Sequence, residues 1–103
     1  MSEFTVQIQL PIDAISDYCD TQAIQCLSLF GSVMRDDFSD ESDVDLLVEY
    51  IPEARITLLD MASQEIALSQ MIGRKVDLRT ANELSPYFRQ TVVDNAKKIY
   101  ERE

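Results

Sequence analysis

Two short stretches constrain this chain more than any other: Leu29-Phe30-Gly31-Ser32 and, further on, Ser42-Asp43-Val44-Asp45-Leu46-Leu47-Val48. The first begins as an apolar run from Ile24 to Phe30, broken only by Gln25 and Ser28, which reads as a largely buried strand. Gly31 ends it. A glycine there lets the backbone turn sharply and lets a ligand approach the main chain, and Ser32 brings a hydroxyl suited to opening a following helix. Backbone amides in such a turn can hold phosphate oxygens.

Side chains alternate along a strand, so Asp43, Asp45 and Leu47 share one face while Val44, Leu46 and Val48 share the other. The two carboxylates fall roughly 7 Å apart along the strand, a spacing that suits one or two hard cations carrying nucleotide phosphates, Mg²⁺ above all. A third carboxylate is found in Lys75-Val76-Asp77-Leu78-Arg79, a strand-like run that places Val76 and Leu78 opposite Asp77 and that could lie beside the Asp43/Asp45 strand.

Each element has a plainer explanation when taken singly. Gly-Ser is a common turn, and acidic pairs at strand starts are usually solvated, here in the company of Asp36, Asp37, Asp40, Glu41 and Glu49. Asp77 is flanked by Lys75 and Arg79, so a surface ion pair explains it nearly as well as a ligand role. Arg35 reads as a salt-bridge partner of the acids after it or as a phosphate contact, with the first favoured. The combination is more specific than its parts, because an acidic loop does not call for same-face carboxylates on an apolar strand just after a strand-Gly-Ser turn.

In this combination the chain resembles the minimal nucleotidyltransferases of the DNA polymerase beta-like superfamily, from about Leu10 to Tyr100. The resemblance rests on Gly31-Ser32, Arg35, the Asp43-Val44-Asp45 run and the later Asp77. It implies that Asp43, Asp45 and Asp77 are catalytic and hold two Mg²⁺ ions. It also implies that Gly31 and Ser32, with Arg35 and Ser42 of the same motif, bind the triphosphate of a nucleotide. Asp36 departs from the pattern, since members often carry glycine after the arginine.

The implied fold is a small mixed β-sheet of three to four strands flanked by helices, in one domain covering residues 1–103. The implied chemistry is nucleotidyl transfer. Minimal members of this size resemble the antitoxin half of a type VII-like pair. By that resemblance the chain would move AMP from ATP to a tyrosine of a HEPN-domain ribonuclease toxin. Two other readings stand beside it: a non-catalytic antitoxin that neutralises its partner by binding alone, and a transferase for a small molecule such as an aminoglycoside, whose cations would favour an acidic cleft.

Composition bounds these readings. At 103 residues and 46% hydrophobic content the chain holds one small core, so the acceptor is expected on another polypeptide. No apolar run nears the roughly 18 residues of a membrane span, and the start lacks the marks of a signal peptide, so a cytoplasmic protein is expected. There is no histidine, and Cys19 and Cys26 are the only cysteines, which argues against zinc and histidine-based catalysis and suggests two buried thiols. The net charge of −10 is uneven: residues 1–60 hold 13 acids against Arg35 and Arg55 alone. Such a surface disfavours direct nucleic-acid binding and favours Mg²⁺ or a basic protein.

The remaining pattern predicts a strand or arm at Thr5 to Gln9 and a helix from Pro11 to about Asp20 with Ile12, Ile15 and Cys19 inward. A middle helix with an Ile56, Leu59, Ala62, Ile66 stripe should be capped by Gly73, with Met61, Leu68, Met71 and Ile72 as core or interface. A last helix should start at Ser85-Pro86 with Phe88, Val92, Ala96 and Ile99 inward.

Overall fold

The computed structural model describes residues 10–31 and 43–102. The predicted strand at Thr5 to Gln9 lies outside them. Helix α1 (Ile12–Thr21) follows Pro11 and buries Ile15 and Cys19 completely. Strand β1 (Ile24–Phe30) has the predicted bounds, and β2 spans Val44–Tyr50. Helix α2 (Leu58–Ile72) opens with a capping box, in which Thr57 Oγ1 accepts from Asp60 N and Asp60 Oδ2 accepts from Thr57 N, and it closes at Gly73 in the left-handed conformation. Strand β3 (Val76–Arg79), a short 3₁₀ turn (Ala81–Glu83), helix α3 (Arg89–Asn95) and strand β4 (Lys97–Glu101) complete the order.

The four strands form one mixed sheet in the order β3-β2-β1-β4, with β2 and β3 parallel and the other pairs antiparallel. Parallel neighbours need a long crossover, and α2 supplies it. Val44, Leu46 and Val48 of β2 sit in register with Val76 and Leu78 of β3 on one side and Leu27 and Leu29 of β1 on the other. These buried side chains make one face of the sheet, against which α1 and α2 pack side by side. The strand alternation then turns Asp45, Leu47, Asp77 and Arg79 to the opposite face.

Four expectations are corrected. Ile12, expected inward with Ile15 and Cys19, is exposed at the start of α1. The last helix ends at Asn95, and the residues after it pair with β1, so Ile99 belongs to a strand and Phe88 is exposed in the turn before α3. The pairing decides this: Tyr100 faces Leu27 and is buried, its hydroxyl donating to Asp20 Oδ1 at 2.6 Å. In α2 the inward face is not the Leu59, Ala62, Ile66 stripe. Gln64 and Leu68 are buried, with Met61, Met71 and Ile72 packed beside the core, because Gln64 is claimed by the Tyr50 hydroxyl, which donates to its Oε1 at 2.6 Å. Finally, Cys19 is buried but Cys26 is only half-buried, since it lies on the face of β1 away from the helices.

Arg102 closes the structure. Its guanidinium donates to the carbonyls of Cys19 (3.0 Å), Gln22 (2.7 Å) and Ile24 (3.1 Å), tying the end of α1 and the start of β1 to the strand that precedes it. Cations at a helix C-terminus satisfy carbonyls that have no partner within the helix.

Candidate active site

Asp45 and Asp77 are direct register partners on the parallel strands β2 and β3. Adjacent strands run about 4.8 Å apart, so the two carboxylates rise side by side from the face that α1 and α2 leave uncovered. On its other flank Asp45 is paired with Phe30, the residue before Gly31. Gly31 has φ +78°, and a Cβ built on it would fall on the Asp45 carboxylate, 2.9 Å from its Cγ. A residue with a side chain would therefore be strained twice, by its backbone and by its neighbour.

Asp43 precedes β2 and is exposed; Val44 N donates to Lys75 O at 2.8 Å, which starts the β2–β3 ladder just beyond it. Strand parity directs Asp43 to the side of Asp45. Among the described residues no three carboxylates close into a metal cage. Mg²⁺ does not need one: it is commonly held by one or two carboxylates together with substrate phosphates and water, and the Asp45/Asp77 pair fits that requirement. Ser32, Arg35 and Ser42 lie outside the described residues.

The ion pair noted as a plain explanation for Asp77 is present. Arg79, two residues on and so on the same face, reaches Asp77 Oδ1 at 3.3 Å and Glu83 Oε1 at 3.7 Å. The Asp77 side chain is one-third exposed, so the pair is screened by water and weak. A second support comes from α2. Ser69 Oγ accepts from Val76 N at 2.9 Å and Glu65 Oε2 accepts from Leu78 N at 2.7 Å, bracketing Asp77. These two residues were missed by sequence reasoning, which has no local signal for a helix side chain capping a strand edge. The β3 edge is thus fixed by its own crossover helix, which holds Asp77 opposite Asp45.

Further along the sheet, toward the end of β2 away from Asp45, lies a groove of about 800 Å³ lined by Ser28, Leu47, Asn82, Val93 and Lys98 among others; neither Asp45 nor Asp77 lines it. Its outer wall is the 3₁₀ turn and α3, joined by Arg89, whose Nε donates to Ala81 O at 2.8 Å and whose guanidinium also donates to Leu84 O at 3.0 Å.

Residues 13–103 match the family described as Polymerase beta, Nucleotidyltransferase. Two proteins of Methanocaldococcus jannaschii provisionally named protein adenylyltransferases, MJ1217 and MJ0435, are each 33% identical, over 73 and 72 residues; the match takes in 70% of this chain in both cases and 72% and 75% of theirs. A solved structure provisionally described as a minimal nucleotidyltransferase is 35% identical over 82% of this chain and 85% of its own, with a TM-score of 0.68. The fold is also that of a toxin-antitoxin structure with AMP-PNP, at TM-score 0.70 and 21% identity over 91% of this chain and 76% of that one.

Proposed function

This chain belongs to the polymerase beta nucleotidyltransferase family, and from that premise we propose that it moves AMP from ATP onto a hydroxyl of a partner protein. The acceptor we infer is a tyrosine of a HEPN-domain ribonuclease, which the chain silences as its antitoxin. The observation that carries the transfer is the in-register pair Asp45 and Asp77, with Gly31 giving way to the Asp45 carboxylate. The protein-directed acceptor is supported by the names of the Methanocaldococcus jannaschii relatives, and the toxin partner by the fold shared with the toxin-antitoxin structure.

In the reaction the acceptor oxygen forms a bond to the α-phosphorus while the bond from that phosphorus to the bridging oxygen of the β-phosphate breaks. Pyrophosphate leaves with the electron pair. Two Mg²⁺ ions, held by Asp43, Asp45 and Asp77, would supply charge stabilisation at the attacking and leaving oxygens. Asp77 would help take the hydroxyl proton, directly or through the metal. Gly31, with Ser32, Arg35 and Ser42, cradles the triphosphate through backbone amides, hydroxyls and a guanidinium.

The test is the intact mass of the co-expressed ribonuclease before and after incubation with Mg²⁺ and ATP. Adenylyl units should appear on it, and Asp45→Asn or Asp77→Asn should slow their appearance at least about a hundredfold, a loss of roughly 3 kcal/mol of transition-state stabilisation. Silencing that persists undiminished in both variants, with no mass gain, would establish neutralisation by binding alone.

A further inference from the structure

Helix α2 carries no charge on its outer face, where Leu58, Leu59, Ala62 and Ile66 stand with the exposed but uncharged Ser63 and Gln70. Of its 15 residues only Asp60 and Glu65 are charged, and both are engaged within the fold, Asp60 in the capping box and Glu65 on Leu78 N. At 3.6 residues per turn, Leu58, Leu59, Ala62 and Ile66 share the arc turned away from the buried Gln64 and Leu68. That arc is open to solvent: Leu58 is 85% exposed, Leu59 79% and Ile66 60%. A single exposed leucine is ordinary, but three large apolar side chains exposed along one helix, with no charged residue among them, mark a surface suited to being covered.

The neighbouring helix indicates what covers it. On the same layer α1 exposes Asp13, Asp17 and Asp20, and neither helix contains a lysine or arginine. A second copy of this layer would therefore meet these carboxylates with no cation, and the net charge of −10 keeps copies apart. The complement is a protein with an apolar ridge bordered by Lys or Arg.

We propose that the α1–α2 layer is the docking surface for a basic partner protein. Leu58, Leu59, Ala62 and Ile66 receive its apolar anchor, and Asp13, Asp17 and Asp20 receive its cations. This rests on the reading that the chain acts on a protein. It adds that the partner is gripped on the face of the sheet opposite Asp45 and Asp77, so that holding and transfer use separate surfaces.

The full chain is titrated, by fluorescence anisotropy, into two labelled designed helical peptides with the same leucine spacing, one carrying lysine and the other glutamate. The lysine peptide should bind at least about tenfold tighter than the glutamate peptide. Leu59→Ser with Ile66→Ser should weaken it about tenfold, as loss of apolar anchors does, and Asp13→Asn with Asp17→Asn about threefold. Asp45→Asn with Asp77→Asn should leave the affinity unchanged. Positions 59 and 66 are exposed, so that double variant keeps its helical circular dichroism. Undiminished binding by the Leu59/Ile66 variant overturns the proposal, as does lost binding in the Asp45/Asp77 variant. So does a dimer of the chain, in sedimentation, that the Leu59/Ile66 variant turns into a monomer. Adenylyl transfer is read in no arm, so a failure here leaves the transferase reading standing, and a failed transfer assay leaves this one standing.

Discussion

The Asp45 carboxylate takes the space that a side chain on Gly31 would need, with Cγ 2.9 Å from where a Cβ would stand. Gly31→Ala must therefore displace the carboxylate, and it also puts alanine at φ +78°, a strain on the order of 1–3 kcal/mol. Misplacing a reacting group by about 1 Å costs about a hundredfold in rate. The expected result is a loss of AMP transfer of that size in the mass assay, with a folded protein by circular dichroism. Full activity in this variant would separate Gly31 from the site.

Arg79 competes with any cation for the Asp77 oxygens it holds at 3.3 Å. An exposed pair of this kind is worth up to about 1 kcal/mol, so Arg79→Ala should raise Mn²⁺ affinity by up to about fivefold. Isothermal titration at low ionic strength would detect the change, and added salt should shrink it in the unmodified protein. Unchanged or weakened Mn²⁺ binding in Arg79→Ala would mean that the guanidinium helps the site and does not compete with it.

The Arg102 guanidinium donates to the carbonyls of Cys19, Gln22 and Ile24, and alanine would remove all of these bonds, leaving Cys19 O with only its backbone donor, Gln22 N. Hydrogen bonds from a charged donor are worth about 1.5–3 kcal/mol, and Arg102→Ala should cost at least about 2 kcal/mol. Urea unfolding reports it as a lower midpoint at unchanged slope. Arg102→Lys, with one point of donation in place of a fork, should recover only part of the loss.

Stability should fall in alkali. Burial is the largest influence on both the Cys19 thiol, pushed up to about 11, and the Tyr50 hydroxyl, pushed up to about 12; nearby negative charges add to both shifts, and Arg102 opposes that of Cys19. Their ordinary values are 9.0 and 10.0. The fold holds both groups neutral to higher pH than the unfolded chain does, so their contribution is whole below pH 9 and is lost as pH rises from 9 to about 12. Denaturant midpoints should be level from about pH 7 to 9 and then decline, and Tyr50→Phe should flatten the upper part of that decline. A level profile to about pH 12 would contradict this.

The architecture was legible wherever a local rule and the tertiary environment agreed. Ile24 to Phe30 is an apolar run with a glycine stop, Gly73 is a left-handed cap, and Val76 and Leu78 alternate with Asp77, so each element stands where it was expected. The failures came where distant partners overrode periodicity. Val92, Ala96 and Ile99 keep a helical spacing, yet Lys97–Glu101 is a strand, because β1 offers it a ladder and Leu27 a place against Tyr100. The stripe of α2 was read inward because hydropathy cannot anticipate a buried glutamine, and Gln64 enters the core only because the Tyr50 hydroxyl meets it there. That Asp77 lies beside Asp45 was readable from the strand-like run around it and the alternation of side chains. Glu65, Ser69 and the link from Arg79 to Glu83 were not, since each depends on how α2 and the 3₁₀ turn lie against β3.

The occupied N–H groups of Val76 and Leu78 have a bearing on the path by which an acceptor can arrive. A peptide cannot zip onto the margin of the sheet next to Asp77 without first stripping Ser69 and Glu65 from it. Strand addition, a common way for one chain to offer a segment to another, is closed at the very edge where the chemistry is placed. In the proposed reaction an incoming hydroxyl would have to descend onto the carboxylates from above the plane of the sheet, as a side chain at the tip of a loop or helix does. This favours acceptors that project from a folded surface over acceptors within an extended tail.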